Sequence, residues 1–205
     1  ILLGLCMGSG AVFSIRFGQN DLEGMKEGMC ASFVLIAILT VLLTGVSFLG
    51  LEWILRFQQV PPEVIGYMRD YLLVIFCGIP ATFLYNYFAS LLRSVGNSVV
   101  PLGFLAVSAI LNIGLDLWFV VGLQRGVAGA AEATVISQYV SGIGIAIYTW
   151  FGFPQLRVAR SHFHIRWACI KEITSFSALT CVQQSVMNLG ILMVQGLVNS
   201  FGPAV

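Results

Sequence analysis

Charge is what this sequence has least of. Lysine, arginine, aspartate and glutamate make up 9% of its 205 residues, against about 25% in a typical soluble domain. A water-facing surface cannot be assembled from so few charges, and lipid is the expected solvent. The formal net charge is only +1, with no basic patch large enough to track phosphates, so no nucleic-acid partner is expected. Paired cysteines are missing as well. Cys6, Cys30, Cys77, Cys169 and Cys181 show no CxxC and no metal-ligand spacing, and read as small apolar residues in helices. There is no Ser-His-Asp set, no HExxH and no phosphate loop. An enzyme is therefore not indicated, and no cofactor is called for. His162 and His164 form an H-x-H pair without further ligands, the pattern of a solvated interface rather than a metal site. The chain also lacks an initiator methionine, a basic leader and a small-residue cleavage site, and is expected to be an internal piece of a longer protein.

What the sequence does have is apolar length. Hydrophobic residues make up 58% of it, and a membrane-spanning helix needs about 20 of them in a run. Residues 1–17 read as the end of one span, with Gly4, Gly8, Ser9 and Gly10 at close-packing spacing. A polar break at 18–28 precedes a full span at 29–50. Residues 51–63, with Trp53 and Pro61-Pro62, read as an interfacial segment. A long helix at 64–92 contains Pro80, which removes a backbone hydrogen bond and predicts a kink or hinge. A turn at 93–101 leads into a span at 102–121, a short hairpin at 122–126 and a span at 127–151. A basic, aromatic connector at 153–171 separates residues 1–152 from a last span at about 172–200. Alternate connections carry Arg16, Lys26, Arg93, Arg157, Arg160, Arg166 and Lys171, against Arg56, Arg69 and Arg125 on the other side. The richer side is expected to be cytoplasmic. The four tryptophans fall near span ends, where an aromatic belt would place them.

Within ILNIGLDLWFVVG (110–122), Asn112 and Asp116 stand one helical turn apart. By helical rise Asp116 lies roughly 9 Å below the outer end of its span, inside the hydrocarbon, where an ionised carboxylate costs up to about 2.5–3.5 kcal/mol. Across the hairpin, Glu132 reaches a similar depth and Thr134 lies deeper. If both carboxylates face the bundle, one pKa would rise or a cation would bind between them. The alternative is that Asn112, Asp116 and Thr134 only hydrogen-bond two helices together, and that Glu132 pairs with Arg125. Tyr85 and Asn86 follow Pro80 in its helix. Gln184, Asn188 and Gln195 share one face of the last span, a face for other helices or a wet cavity.

The stretch LLRSVGNSVVPLGFLAVSAILNIGLDLWFVVGLQRGVAGAAEATVISQ (91–138) resembles the multidrug and toxic compound extrusion (MATE) family. The marks are RSVGNSVVP before the helix, Asn112-Ile-Gly-Leu-Asp116 within it and GVAGAAEATVISQ after it. RFGQNDLEGMKEG (16–28) and GIPATFLYNYFASLLR (78–93) support them. The resemblance implies an all-α polytopic membrane bundle, covering about the second to seventh helices of a twelve-helix, two-lobe transporter. On that frame 1–152 is most of the amino-terminal lobe, 153–171 the cytoplasmic inter-lobe linker and 172–205 the start of the second lobe. It implies an antiporter of the plasma membrane, in bacteria the cytoplasmic membrane. Such a protein exports small organic, often cationic compounds in exchange for sodium or protons, and is expected to work as a monomer in lipid once full length. The coupling-ion site would consist of Asp116, Asn112, Thr134 and the backbone carbonyl of Ala130, with sodium as its only metal. Glu132, Tyr85, Asn86, Gln184 and Asn188 are expected to tune the cavity or the ion site. Two positions depart from the pattern. Met187 stands where some members carry an acidic residue, and Glu132 where an apolar one is usual. A lipid-linked precursor flippase of the same superfamily is a second reading, disfavoured because no Arg or Lys lies at mid-membrane depth. A non-transporting membrane subunit is a third.

Overall fold

The structure is a computed structural model that describes residues 2–57, 65–157 and 167–200. Every regular element among them is helical. Helix α1 is Leu2–Gly18 and α2 is Leu22–Leu49. The polar break expected at 18–28 contracts to a turn at 19–21, with Asn20 at φ 57°. Asp21 caps α2 by accepting from the Gly24 N–H at 2.9 Å, and a Lys26–Glu23 pair at 3.0 Å follows one turn on. Capping and charge pairing thus keep residues 22–28 helical despite their polarity. Helix α3 is Leu51–Phe57. Pro61-Pro62, His162, His164, Arg160 and Arg166 lie outside the described residues.

The single helix expected over 64–92 is two helices, α4 (Ile65–Cys77) and α5 (Ile79–Ser94). They are joined at Gly78, with Pro80 in the first turn of α5. Pro80 has no N–H to continue the ladder, and a first turn is where that loss is harmless. The Cys77 carbonyl at the break accepts the Tyr139 hydroxyl at 2.9 Å. Helix α6 is Val99–Asp116. Asn97 Oδ1 accepts the Val100 N–H at 3.2 Å at its start, and Pro101 occupies its first turn. A π-helix at Leu117–Gly122 follows directly, where a uniform α-helix was expected. After Gln124 and Gly126, both at positive φ, α7 runs Gly126–Gly152. A short 3₁₀ turn at Pro154–Leu156 ends in Arg157. Helix α8 is Trp167–Ser200, so part of the expected connector belongs to its first turns.

Four stretches among the described residues are long and apolar enough to cross a membrane: Leu22–Leu49, Ile65–Ser94, Val99–Gly122 and Gly126–Gly152. The core joins α1, α2 and α5 through Phe13, Phe33, Phe83 and Tyr87. The buried Tyr87 hydroxyl donates to the Met29 carbonyl at 2.7 Å and lies 3.1 Å from Ser32 Oγ. Helix α1 crosses α8 at close range. A Cβ on Gly4 would stand 2.7 Å from Cys181 Sγ, and one on Gly8 would stand 2.5 Å from Ser177 Cα. Close approach through small residues is how helices associate where lipid removes the hydrophobic drive between them. Arg16 at the end of α1 bridges to Glu172 of α8 at 2.6 Å. Helix α6 buries only Pro101; its Leu102, Ile110 and Ile113, and Leu117 of the π-helix, face outward, which suits a chain solvated by lipid.

Candidate functional site

The α6–α7 hairpin is held by side chains of one helix bonding the other. Ser108 Oγ donates to the Ser137 carbonyl at 3.1 Å, and Ser141 Oγ to the Phe104 carbonyl at 3.0 Å. Asn112 Nδ2 lies 3.4 Å from Thr134 Oγ1, whose hydroxyl donates to the Ala130 carbonyl at 2.9 Å. Ser108, Asn112 and Asp116 recur every fourth residue and so form one stripe on α6. Three of the four residues expected to form an ion site are therefore joined in a chain, with Thr134 contacting both Asn112 and the Ala130 carbonyl. Asp116 lies one turn further along the same stripe. Its Oδ1 is buried and has no hydrogen-bond partner, the one such side-chain atom among the described residues. Buried polar atoms are normally satisfied, so this carboxylate is either costly or reserved for a ligand.

A cavity of about 380 Å³ opens below this cluster between α5, α6 and α7. Thr82, Tyr85 and Asn86 line it from α5, Ser108 and Asn112 from α6, and Thr134 and Gln138 from α7. Its polar groups are largely spoken for. Thr82 Oγ1 lies 3.0 Å from Gln138 Oε1, Asn86 Nδ2 donates to the Thr82 carbonyl at 2.8 Å, and the Tyr85 hydroxyl donates to the Pro101 carbonyl at 2.9 Å. No charged side chain lines the cavity. Thr82, Ser108, Ser137, Gln138 and Ser141 were not singled out from the sequence. Only Ser108 carried a readable signal, its four-residue spacing before Asn112; the others needed the packing of three helices.

The remaining expected residues lie elsewhere. The Glu132 carboxylate pairs with the Arg125 guanidinium at the turn end of the hairpin, the arrangement left open as its alternative, and does not line the cavity. Gln184 and Asn188 are on α8 away from it; Asn188 is exposed and Met187 beside it is 58% exposed. The side chain of Gln195 lies outside the described residues. Pro80 stands at the break between α4 and α5, two residues before the cavity-lining Thr82, and does not itself line the cavity. The π-helix begins at the residue after Asp116. Such segments are uncommon and concentrate at functional sites. No group of three or more His, Cys, Asp or Glu able to hold a metal occurs among the described residues. The Asp116 cluster instead offers carboxylate, amide, hydroxyl and carbonyl oxygens, the donor set of a hard cation.

These features define a multi-pass helical membrane protein with a polar intramembrane site between adjacent spans. The family model MatE matches residues 1–118, and the chain belongs to that family. It is 28% identical to the probable multidrug resistance protein YpnP of Bacillus subtilis, over 98% of this chain and 45% of that protein. It is 27% identical to the probable multidrug resistance protein NorM of Thermotoga maritima, over 94% of this chain and 42% of that one. The chain thus spans about half the length of the curated relatives it matches. Its fold superposes on an inward-facing MATE family transporter with a TM-score of 0.86 at 23% identity, covering 98% of this chain and 46% of the other. An outward-facing structure matches with a TM-score of 0.87 at 24% identity, covering 98% and 45%.

Proposed function

We propose that this chain supplies the larger part of one lobe of a secondary active antiporter. The whole protein would export small organic, often cationic compounds across the plasma membrane in exchange for sodium or protons, by alternating access. The observation that carries the reading is the buried, unpartnered Asp116 oxygen, one turn from the Asn112–Thr134–Ala130 cluster and above a polar cavity. The relatives' names, probable multidrug resistance proteins, support a multidrug substrate range.

Asp116 would take the coupling ion, as a proton or as sodium held with the oxygens of Asn112, Thr134 and Ala130. Either ion relieves the cost of an isolated carboxylate in hydrocarbon. An ion shifts a conformational equilibrium only by its differential affinity for the two states, so the site must change shape. The π-helix after Asp116 and the Gly78–Pro80 break are places beside the site where the helical ladder is already interrupted. Residues 1–152 would move as a lobe against the segment that begins near 172, in the rocking expected of such folds.

The test is efflux of a fluorescent cationic dye from proteoliposomes holding the full-length protein, under an imposed sodium or proton gradient. Asp116→Asn is expected to bring gradient-driven efflux down to the protein-free level while dye binding persists. The gradient that drives the wild type names the ion. Unchanged coupling in the variant would reduce the Asn112–Thr134 and Ser108–Ser137 bonds, with Asp116, to ties between helices, as in a non-transporting subunit.

A further inference from the structure

The polar cavity uses one side of α5. The opposite side faces a second, apolar cavity of about 300 Å³ between α2, α5 and α7. Tyr85 and Asn86 line the first and Tyr87, Phe88 and Leu91 the second, as helical spacing requires of residues that close in sequence. This second cavity is a groove that runs inward from one end of the bundle. Its inner part is lined by Phe33 and Val34, roughly 15–18 Å along the axis from the start of α2. Its outer end carries Trp150, Leu156 and Arg157.

Arg157 is the one charged side chain on the groove. Its Nε donates to the Trp150 carbonyl at 2.8 Å, which leaves the terminal N–H donors of the guanidinium for another acceptor. Arg157 is exposed and forms no ion pair among the described residues. It follows the last turn of α7, at the end of the bundle that carries the excess of Lys and Arg, and Trp150 beside it is 53% exposed. An exposed tryptophan at a span end marks headgroup depth. The groove therefore combines an apolar slot reaching into hydrocarbon with a single oriented cation at its mouth. The ligand chemistry it fits is a phosphodiester attached to an acyl chain.

We propose that the α2–α5–α7 groove binds one anionic phospholipid of the cytoplasmic leaflet, with an acyl chain lying along the lining of Phe33, Val34 and Phe88 and the phosphate on Arg157. A surface merely solvated by lipid shows no headgroup preference, whereas an oriented guanidinium discriminates by net charge. One such cation at a membrane surface is worth about fivefold in binding. The site is separate from Asp116 and does not depend on the transport reading.

The experiment is native mass spectrometry of the full-length protein released from nanodiscs of equal parts phosphatidylglycerol and phosphatidylcholine. The wild type is expected to retain phosphatidylglycerol over phosphatidylcholine by about fivefold. Arg157→Gln should abolish that preference, and Arg157→Lys should keep most of it. Val34→Trp, which fills the inner groove, should lower retention of both lipids. Equal retention of the two lipids by the wild type would overturn the proposal. So would an unchanged preference in Arg157→Gln, or no retained lipid at all, which would mean that another part of the full-length protein covers the groove.

Discussion

At the scale of single residues, the membrane makes two opposite demands. Polar groups must find partners, and helices must touch without help from water. Asp116 meets the first demand incompletely, with one buried oxygen left over, which is why the whole functional reading turns on it. Gly8 meets the second. A Cβ there would fall 2.5 Å from the Ser177 Cα and 2.7 Å from its N, and neither is the movable tip of a side chain. Gly8→Ala is therefore expected to destabilise the α1–α8 crossing by about 1–3 kcal/mol. Thermal unfolding of the full-length protein in detergent would show this as a lowered Tm. Gly18→Ala, at a helix end with nothing within 4 Å, should stay within about 0.5 kcal/mol of wild type. Equal effects at the two sites would show that the close crossing is not what holds α8.

At the scale of elements, each departure from a plain α-helix has a local cause. Pro80 could not extend the ladder from α4, so the chain restarts at Ile79 and uses the proline in the new first turn. The carbonyl exposed at Cys77 is taken up by Tyr139 of α7. Tyr139→Phe removes that donor and should cost about 0.5–1.5 kcal/mol. In amide exchange it should also loosen the α4–α5 junction more than the far end of α7. An unchanged junction would mean that the break is held by Gly78 and Pro80 alone. The π-helix after Asp116 has no comparable side-chain tie among the described residues. Its five-residue pairing shows in the Leu123 N–H bonding to the Trp118 carbonyl at 2.9 Å.

At the scale of the whole molecule, the Arg16–Glu172 bridge is the ion pair that joins α1 to α8 among the described residues, beside the Ser177 hydroxyl that donates to the Leu5 carbonyl at 3.4 Å. Arg16 is only 14% exposed, and its Nη2 also lies 3.3 Å from Cys169 Sγ. A double-mutant cycle of Arg16→Gln and Glu172→Gln should return a coupling of about 0.5–3 kcal/mol. In a background where Cys169 is the sole cysteine, Arg16→Gln should speed thiol labelling at that buried position. Additive effects and unchanged labelling would show that apolar packing of Val12 against Ile173 holds these ends together without the ion pair.

The sequence by itself determined the class of protein, because a chain with so few charges and such long apolar runs has no soluble solution. It also determined the family, through motifs spread over most of its length, and the pairing of Asn112 with Thr134, because a short hairpin leaves two helices little choice of register. Helix ends were less legible. The polar stretch 22–28 and residues 167–171 read as connectors and proved helical, since capping by Asp21 and contact with Arg16 outweigh local polarity. Glu132 kept two readings until folding placed Arg125 within its reach. Only the tertiary structure decided that α5 has two working sides, one toward the polar cavity and one toward the apolar groove, and that Ser108, Gln138 and Arg157 belong to them. Those assignments depend on which helices meet, and meeting is governed by side-chain shape across the bundle. Spacing along one helix records which residues share a face, and holds no information about what that face will touch.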